Sequence, residues 1–292
     1  MRLRRRARTA PAARPVPGSG DASSPGPPAP GRVAVIGDVG GHHREFVAEL
    51  RRLGVDTDAG VVPPDLTIVQ VGDLVHRGPD SEQVVFLVDR CLHTSPGRWV
   101  QLVGNHEAHY LRPPVFHWPQ CIDYHASDVL RRWWRTGRLR AAAVVAGDLL
   151  VTHAGLTVGF WEEVLGRPSS AVEAAAALDA MARSGSDALF RTGSMLSGGP
   201  PQLDAGPLWA RAATELVPPW ASRSLPFGQL HGHSSVYDWQ RGVFRVGPDL
   251  AARTRLDPDG GHETTLLDGG EIIGVDPGHG TDPTFTWRAW TA

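Results

Sequence analysis

The chain has 292 residues, a net charge of −2 and 29 basic residues, all of them arginine. That balance removes any general electrostatic case for a nucleic-acid partner, and two cysteines, Cys91 and Cys121, provide no disulfide framework and fit a reducing cytoplasm. No apolar run approaches the length of a membrane span, so no membrane partner is expected.

Residues 1–31 hold Arg, Pro, Ala, Gly and Ser with almost no apolar side chains. They bury too little surface to offset the entropy of ordering them, which predicts a disordered tail. The arginine cluster from Arg2 to Arg8 invites a nucleic-acid, membrane or targeting reading. No apolar segment follows it as a secretory signal requires, and a solvated basic tail accounts for it. Residues 32–292 suffice for one large α/β domain and show no internal repeat.

The predicted elements alternate along that domain. A strand-type run, Val33 to Ile36, leads into Gly37-Asp38, and Phe46, Leu50 and Leu53 give the helical period over Glu45 to Leu53. Leu66 to Val71 leads into Gly72-Asp73 and on to Arg77-Gly78. A helix then spans Ser81 to Leu92, with Ser81 as the candidate N-cap ahead of Val84, Val85, Leu87 and Val88. Trp99 to Val103 precedes Gly104-Asn105-His106-Glu107, and a Pro/aromatic excursion with Trp118, Trp133 and Trp134 follows, to line a substrate pocket or to pack the core. Asp148 to Thr152 precedes His153-Ala154-Gly155. Next come an alanine-rich helix, Ser170 to Arg183, and a Gly/Pro-rich stretch, Gly193 to Pro207, that is either a cap over a site or a surface excursion. Phe227 to His231 precedes Gly232-His233.

Each polar motif follows a strand-type run, and strand ends of a parallel sheet gather residues distant in sequence into one crevice. The gathered donors would be carboxylates, an amide oxygen and imidazoles. Such a set suits hard or borderline divalent ions such as Mn, Fe or Zn, Mn foremost, and the absence of Cys from the motifs argues against a thiolate zinc site. A dinucleotide-binding turn over Val33 to Gly41 is a poor rival, because its glycines do not fit G-x-G-x-x-G.

The motifs and their order resemble the calcineurin-like metallophosphoesterases. Gly72 to Ser81 (GDLVHRGPDS) and Leu102 to Glu107 (LVGNHE) are similar to the phosphoprotein-phosphatase-like branch, and the resemblance runs from Gly31 to about Gly280. It implies a four-layer α/β sandwich, two mixed sheets flanked by helices. It also implies a dinuclear site of two divalent metal ions, in which Asp38 binds the first ion, Asp73 bridges both, and Asn105, His153 and His233 hold the second. Arg77 and Arg211 (in Pro207 to Arg211, PLWAR) would bind phosphoryl oxygens while His106 protonates the leaving oxygen after attack by a metal-bound hydroxide. The implied substrates are phosphorylated small molecules, nucleotides or phosphoproteins, as for protein serine/threonine phosphatases and dinucleoside polyphosphatases.

Two departures from the family pattern bear on the chemistry. The first motif is usually Asp-x-His, but here Asp38-Val39 is followed by Gly40-Gly41 and then His42-His43, so the first ion lacks its imidazole unless His42, His43 or water replaces it. The second is His76, where the family has an Asp that holds the histidine at position 106; an imidazole supplies no negative charge there. A leaving group that needs little protonation would tolerate this better than a serine alkoxide. Both departures also suit a rival reading, a catalytically weakened relative that binds a phosphorylated ligand or a partner. His109, His117, His125, His231, His262 and His279 could include an auxiliary ligand, though each alone reads as a surface or satisfied histidine.

Overall fold

Alternating apolar side chains let each central strand bury both of its faces, one on a facing sheet and one under helices. The structure, a computed structural model, describes residues 31–292, so the tail expected over 1–31 lies outside the described residues apart from Gly31. The first half of the domain comprises β1 (Arg32–Ile36), α1 (His43–Arg52), β2 (Leu66–Gln70), α2 (Ser81–Thr94), β3 (Trp99–Leu102), α3 (Asn105–Leu111), α4 (Tyr124–Arg135) and β4 (Leu139–Arg140). The second half begins with β5 (Ala143–Val145), β6 (Leu149–Thr152), α5 (Ala171–Ser184), α6 (Ser194–Ser197) and α7 (Val217–Trp220). It continues through β7 (Gly228–His231), β8 (Tyr237–Asp238), β9 (Val243–Phe244), α8 (Pro248–Ala252), β10 (Thr254–Asp257), β11 (His262–Leu267), β12 (Gly270–Gly274) and β13 (Trp290–Thr291).

One sheet has the order β13-β1-β2-β3-β4, parallel except for β13, and the other the order β10-β11-β12-β7-β6-β5, parallel only across β12-β7-β6. Val35, Val69 and Val71 of the first sheet pack with Leu149, Val151, Leu230 and Ile273 of the second. On the other side of the first sheet, Ala34, Ile36 and Ile68 meet Phe46 and Leu50 of α1 and Val84 and Val88 of α2. Leu150, one residue out of phase with Val151, packs instead on Ala174 and Leu178 of α5. Helix, sheet, sheet and helix make four layers, as the resemblance implies.

All five strand-type runs form strands, and the three helical patterns form α1, α2 and α5. Helix α5 starts where Ser170 accepts the Glu173 N–H and stops at Gly185, whose φ of +70° a side chain would resist. The N-cap of α2 is a correction: Asp80 holds that position without a side-chain cap, while Ser81 is the first helical residue and its Oγ accepts the His76 N–H at 2.9 Å. The local pattern could not reveal that Ser81 is engaged by the loop before it.

Candidate metal centre

The loops after β1, β2, β3, β6 and β7 converge at one edge of the two sheets. Among the described residues, Asp73, His153 and His233 bring ligand atoms within 4.8 Å of one another. His153 Nε2 lies 2.9 Å from Asn105 Oδ1, 3.2 Å from His233 Nδ1 and 3.4 Å from Asp73 Oδ1. These spacings match ligand-to-ligand edges around an ion with bonds of about 2.0–2.2 Å. His153 Nδ1 donates to the Val71 carbonyl at 3.1 Å, which leaves the Nε2 lone pair facing two oxygens. Facing acceptors repel unless a cation sits among them, and His233 Nε2 is also buried without a hydrogen-bond partner. The donor set therefore fits a divalent ion.

Backbone strain aims these side chains. Asp73, His76, Arg77 and His233 all adopt positive φ, at 55°, 72°, 68° and 65°, a region that side chains rarely occupy. Glu107, fully buried, overcomes part of that cost by accepting the N–H groups of Asp73 at 2.7 Å, Leu74 at 2.8 Å and Gly104 at 2.9 Å. Asp73 Oδ1 in turn accepts the His106 N–H, and Asp38 Oδ1 accepts the His233 N–H across 195 residues of sequence. Burial, followed by repulsion from Asp276, holds the Asp38 carboxyl well above the ordinary range; burial and then Glu107 do the same to Asp73. Burial pushes His153 down to about 3 and His233 well below its usual value. The site thus disfavours charge on every ligand, a penalty that a bound dication offsets for the carboxylates.

A cleft of about 610 Å3 opens on these residues, and Asp38, Asp73, Asn105, His106, His233, Arg77 and Arg211 all line it. His153 lies fully buried behind them. His106 points Nε2 at Asp73 Oδ2, 3.4 Å away, and its Nδ1 donates to the Val75 carbonyl at 2.7 Å rather than to a carboxylate. At position 76 the imidazole meets the Tyr110 hydroxyl at 2.6 Å and stacks obliquely beside His106 at 5.0 Å, while burial lowers it to about 3.

His42 and His43 do not line the cleft, and His42 Nε2 contacts the Gly280 carbonyl at 3.2 Å. Gly40 has a φ of +56°, and a Cβ there would lie 2.6 Å from Gly280 Cα. Trp118 lines the cleft beside His106, whereas Trp133 is fully buried in the helical layer. From the Gly193–Pro207 stretch, Met195 and Leu196 reach the cleft, so part of it forms a wall of the site. His231 and His262 are satisfied core histidines, bonded to the carbonyls of Gly232 and Arg288.

A model of the family described as calcineurin-like phosphoesterase matches residues 31–242. The chain belongs to the calcineurin-like phosphoesterase family. Within it, the chain is similar to bis(5'-nucleosyl)-tetraphosphatase PrpE of Geobacillus sp. (strain WCH70), 35% identical over 77 residues, 26% of this chain and 31% of that protein. It is also similar to serine/threonine-protein phosphatase PP1-1 of Saccharomyces cerevisiae, 27% identical over 128 residues, 43% of this chain and 39% of that one. The chain therefore spans well under half the length of these curated relatives. A cold-active protein-tyrosine phosphatase of a psychrophilic Shewanella species shares the fold at a TM-score of 0.53 and 14% identity, over 89% of this chain and 75% of that one.

The motifs of this calcineurin-like phosphoesterase omit several residues that shape the site. Asp276, Arg241 and Arg245 line the cleft, and buried Glu215 accepts the N–H groups of Ser194, Gln202 and Arg211, tying the cleft wall to the Arg211 loop. Asp276 had a legible signal, since Ile272 to Val275 is another strand-type run and an acidic residue follows it. The others follow no motif.

Proposed function

We propose that the protein is a metal-dependent hydrolase of phosphoric esters and anhydrides, with a preference for phosphoanhydrides such as those of dinucleoside polyphosphates. The observation that carries this reading is the convergence of Asp73, Asn105, His153 and His233 on one point at the end of a cleft lined by Arg77, Arg211, Arg241 and Arg245. Two divalent ions, Mn foremost, would be held by Asp38, Asp73, Asn105, His153 and His233, activating water and neutralising charge on the phosphoryl group.

Arg77 presents a two-pronged guanidinium to the phosphoryl oxygens, steadied by the Trp118 ring 5.5 Å from its Cζ. Arg211 lines the same cleft and would hold the same group, and Arg241 and Arg245 would extend the positive lining toward further phosphates. His106, oriented by the Val75 carbonyl, faces the reacting end and assists the leaving oxygen. Because a carbonyl rather than a carboxylate supports it, His106 gains little stabilisation as a cation, which favours leaving groups that depart without full protonation.

The test is a panel assayed with added Mn²⁺: p-nitrophenyl phosphate, a phosphoserine peptide and diadenosine tetraphosphate. The anhydride should be hydrolysed faster than the phosphoserine peptide. A peptide preference would overturn the anhydride reading, and no turnover with metal bound would favour the ligand-binding alternative.

A further inference from the structure

The first ion position is short of a ligand only when the first motif is considered alone. The loop 275–280, which leaves β12, lies directly on the loop 37–40, which leaves β1. A Cβ on Gly37 would strike the Val275 carbonyl, and one on Gly40 would lie 2.6 Å from Gly280 Cα. The space that a histidine at position 40 would need is thus filled by backbone. The same loop carries Asp276 into the cleft wall alongside Asp38 and Asp73.

Asp276 is fixed there. Its Oδ1 accepts the Gly278 N–H at 2.9 Å, and the His279 N–H also turns toward the carboxylate. Asp38 and Asp276 are 7% and 8% exposed, and neither meets a cationic side chain within 4.0 Å among the described residues. Two carboxylates so deeply placed in one cleft wall are held as anions only with a compensating positive charge. The neighbouring centre formed by Asp73, His153 and His233, with its unpartnered His233 Nε2, independently marks this corner as a cation site.

We propose that Asp276 is a ligand of the first metal ion, completing with Asp38 and Asp73 an all-carboxylate position in place of the imidazole that Gly40 excludes. The inference rests on the dinuclear reading of the site. It makes the loss of a histidine at position 40 and the presence of an aspartate at 276 one structural exchange: nitrogen is traded for oxygen, and the loop that blocks one ligand delivers the other. An oxygen-only position also favours harder ions such as Mn over Zn.

Metal binding tests it without reference to turnover. The full chain, stripped with a chelator, is titrated with Mn²⁺ by calorimetry and by electron paramagnetic resonance. Wild type should take up two ions and show a spin-coupled signal. Asp276→Asn keeps the acceptor for the Gly278 N–H but removes the charge. It should weaken one ion at least tenfold, leave the other unchanged and replace the coupled signal by a mononuclear one, while His42→Ala and His43→Ala retain both ions. Two ions bound to Asp276→Asn with wild-type affinities, or loss of an ion in either histidine variant, would overturn the assignment. Asp276→Cys provides a second reading, since a ligand at this position should produce a thiolate-to-cadmium absorption band absent from wild type; absence of the band counts against the proposal. The substrate panel scores hydrolysis separately. An inactive wild type with two ions would sink the proposed function and leave Asp276 a ligand.

Discussion

At the scale of single residues, the site is governed by charge packed where water cannot screen it. Asp73→Asn should abolish hydrolysis and lower metal content together, because an amide cannot neutralise two dications; a variant with near wild-type turnover would remove Asp73 from the bridging position. Arg77→Ala should cost roughly 3 kcal/mol in kcat/KM, the scale for losing one charged donor to a transition state, with metal content intact by elemental analysis. Loss of metal without a kinetic defect would reassign Arg77. Gly40→His is a repair by the motif alone, but the φ of +56° at this position and the 2.6 Å approach of Gly280 make it an insertion into filled space. The variant should melt lower than wild type and bind Mn²⁺ no more tightly, and a tighter site by titration would contradict this.

At the scale of elements, buried glutamates tie loops to sheets. Glu107 holds the loop after β2, Glu215 the wall around α6, and Glu49 of α1 accepts the Ala289 N–H at 2.7 Å beside β13. Glu263 in β11 accepts the N–H groups of Val236 and Tyr237, and burial pushes it up to about 7 from 4.5 despite those two bonds. With the folded value above the unfolded one, the folded state binds more protons between the two. The associated stability is full below about pH 4.5 and lost as pH rises through about 7. Glu263→Gln removes this titration along with one acceptor. The melting temperature of wild type relative to the variant should fall between about pH 5 and 8, measured by calorimetry. Parallel curves would mean that Glu263 is ionised throughout.

At the scale of the whole molecule, the candidate metal centre draws its residues from both sheets. Asp38, Asp73 and Asn105 follow strands of one sheet, and His153 and His233 follow strands of the other. An ion shared by these ligands binds only the assembled sandwich, so its binding energy is folding energy. Mn²⁺ at a hundredfold excess over Kd should stabilise the protein by roughly 2.7 kcal/mol per site, on the order of 2–4 °C per kcal/mol for a domain of this size. Scanning calorimetry with and without a chelator measures it. An unchanged melting temperature would show that no ion bridges the sheets.

The sequence by itself determined an α/β chain and most of the cluster, while the four layers were what the family resemblance of its motifs implied. Unbroken apolar runs in Val33–Ile36 and Leu149–Val151 read as strands buried on both sides, and the polar residues just past each strand must emerge at one sheet edge once those strands run parallel. Asp38, Asp73, Asn105, His106, His153 and His233 were therefore legible, because each follows its strand directly in the chain. Only the tertiary structure decided what comes from elsewhere. The clamps at Glu107 and Glu215, the carbonyl behind His106 and the closure of Gly40 against Gly280 depend on side chains and backbone meeting across long stretches of sequence. No local propensity encodes such meetings. Asp276 stands between the two cases: its strand announces it, but its place beside Asp38 exists only because the loop 275–280 packs onto the loop 37–40.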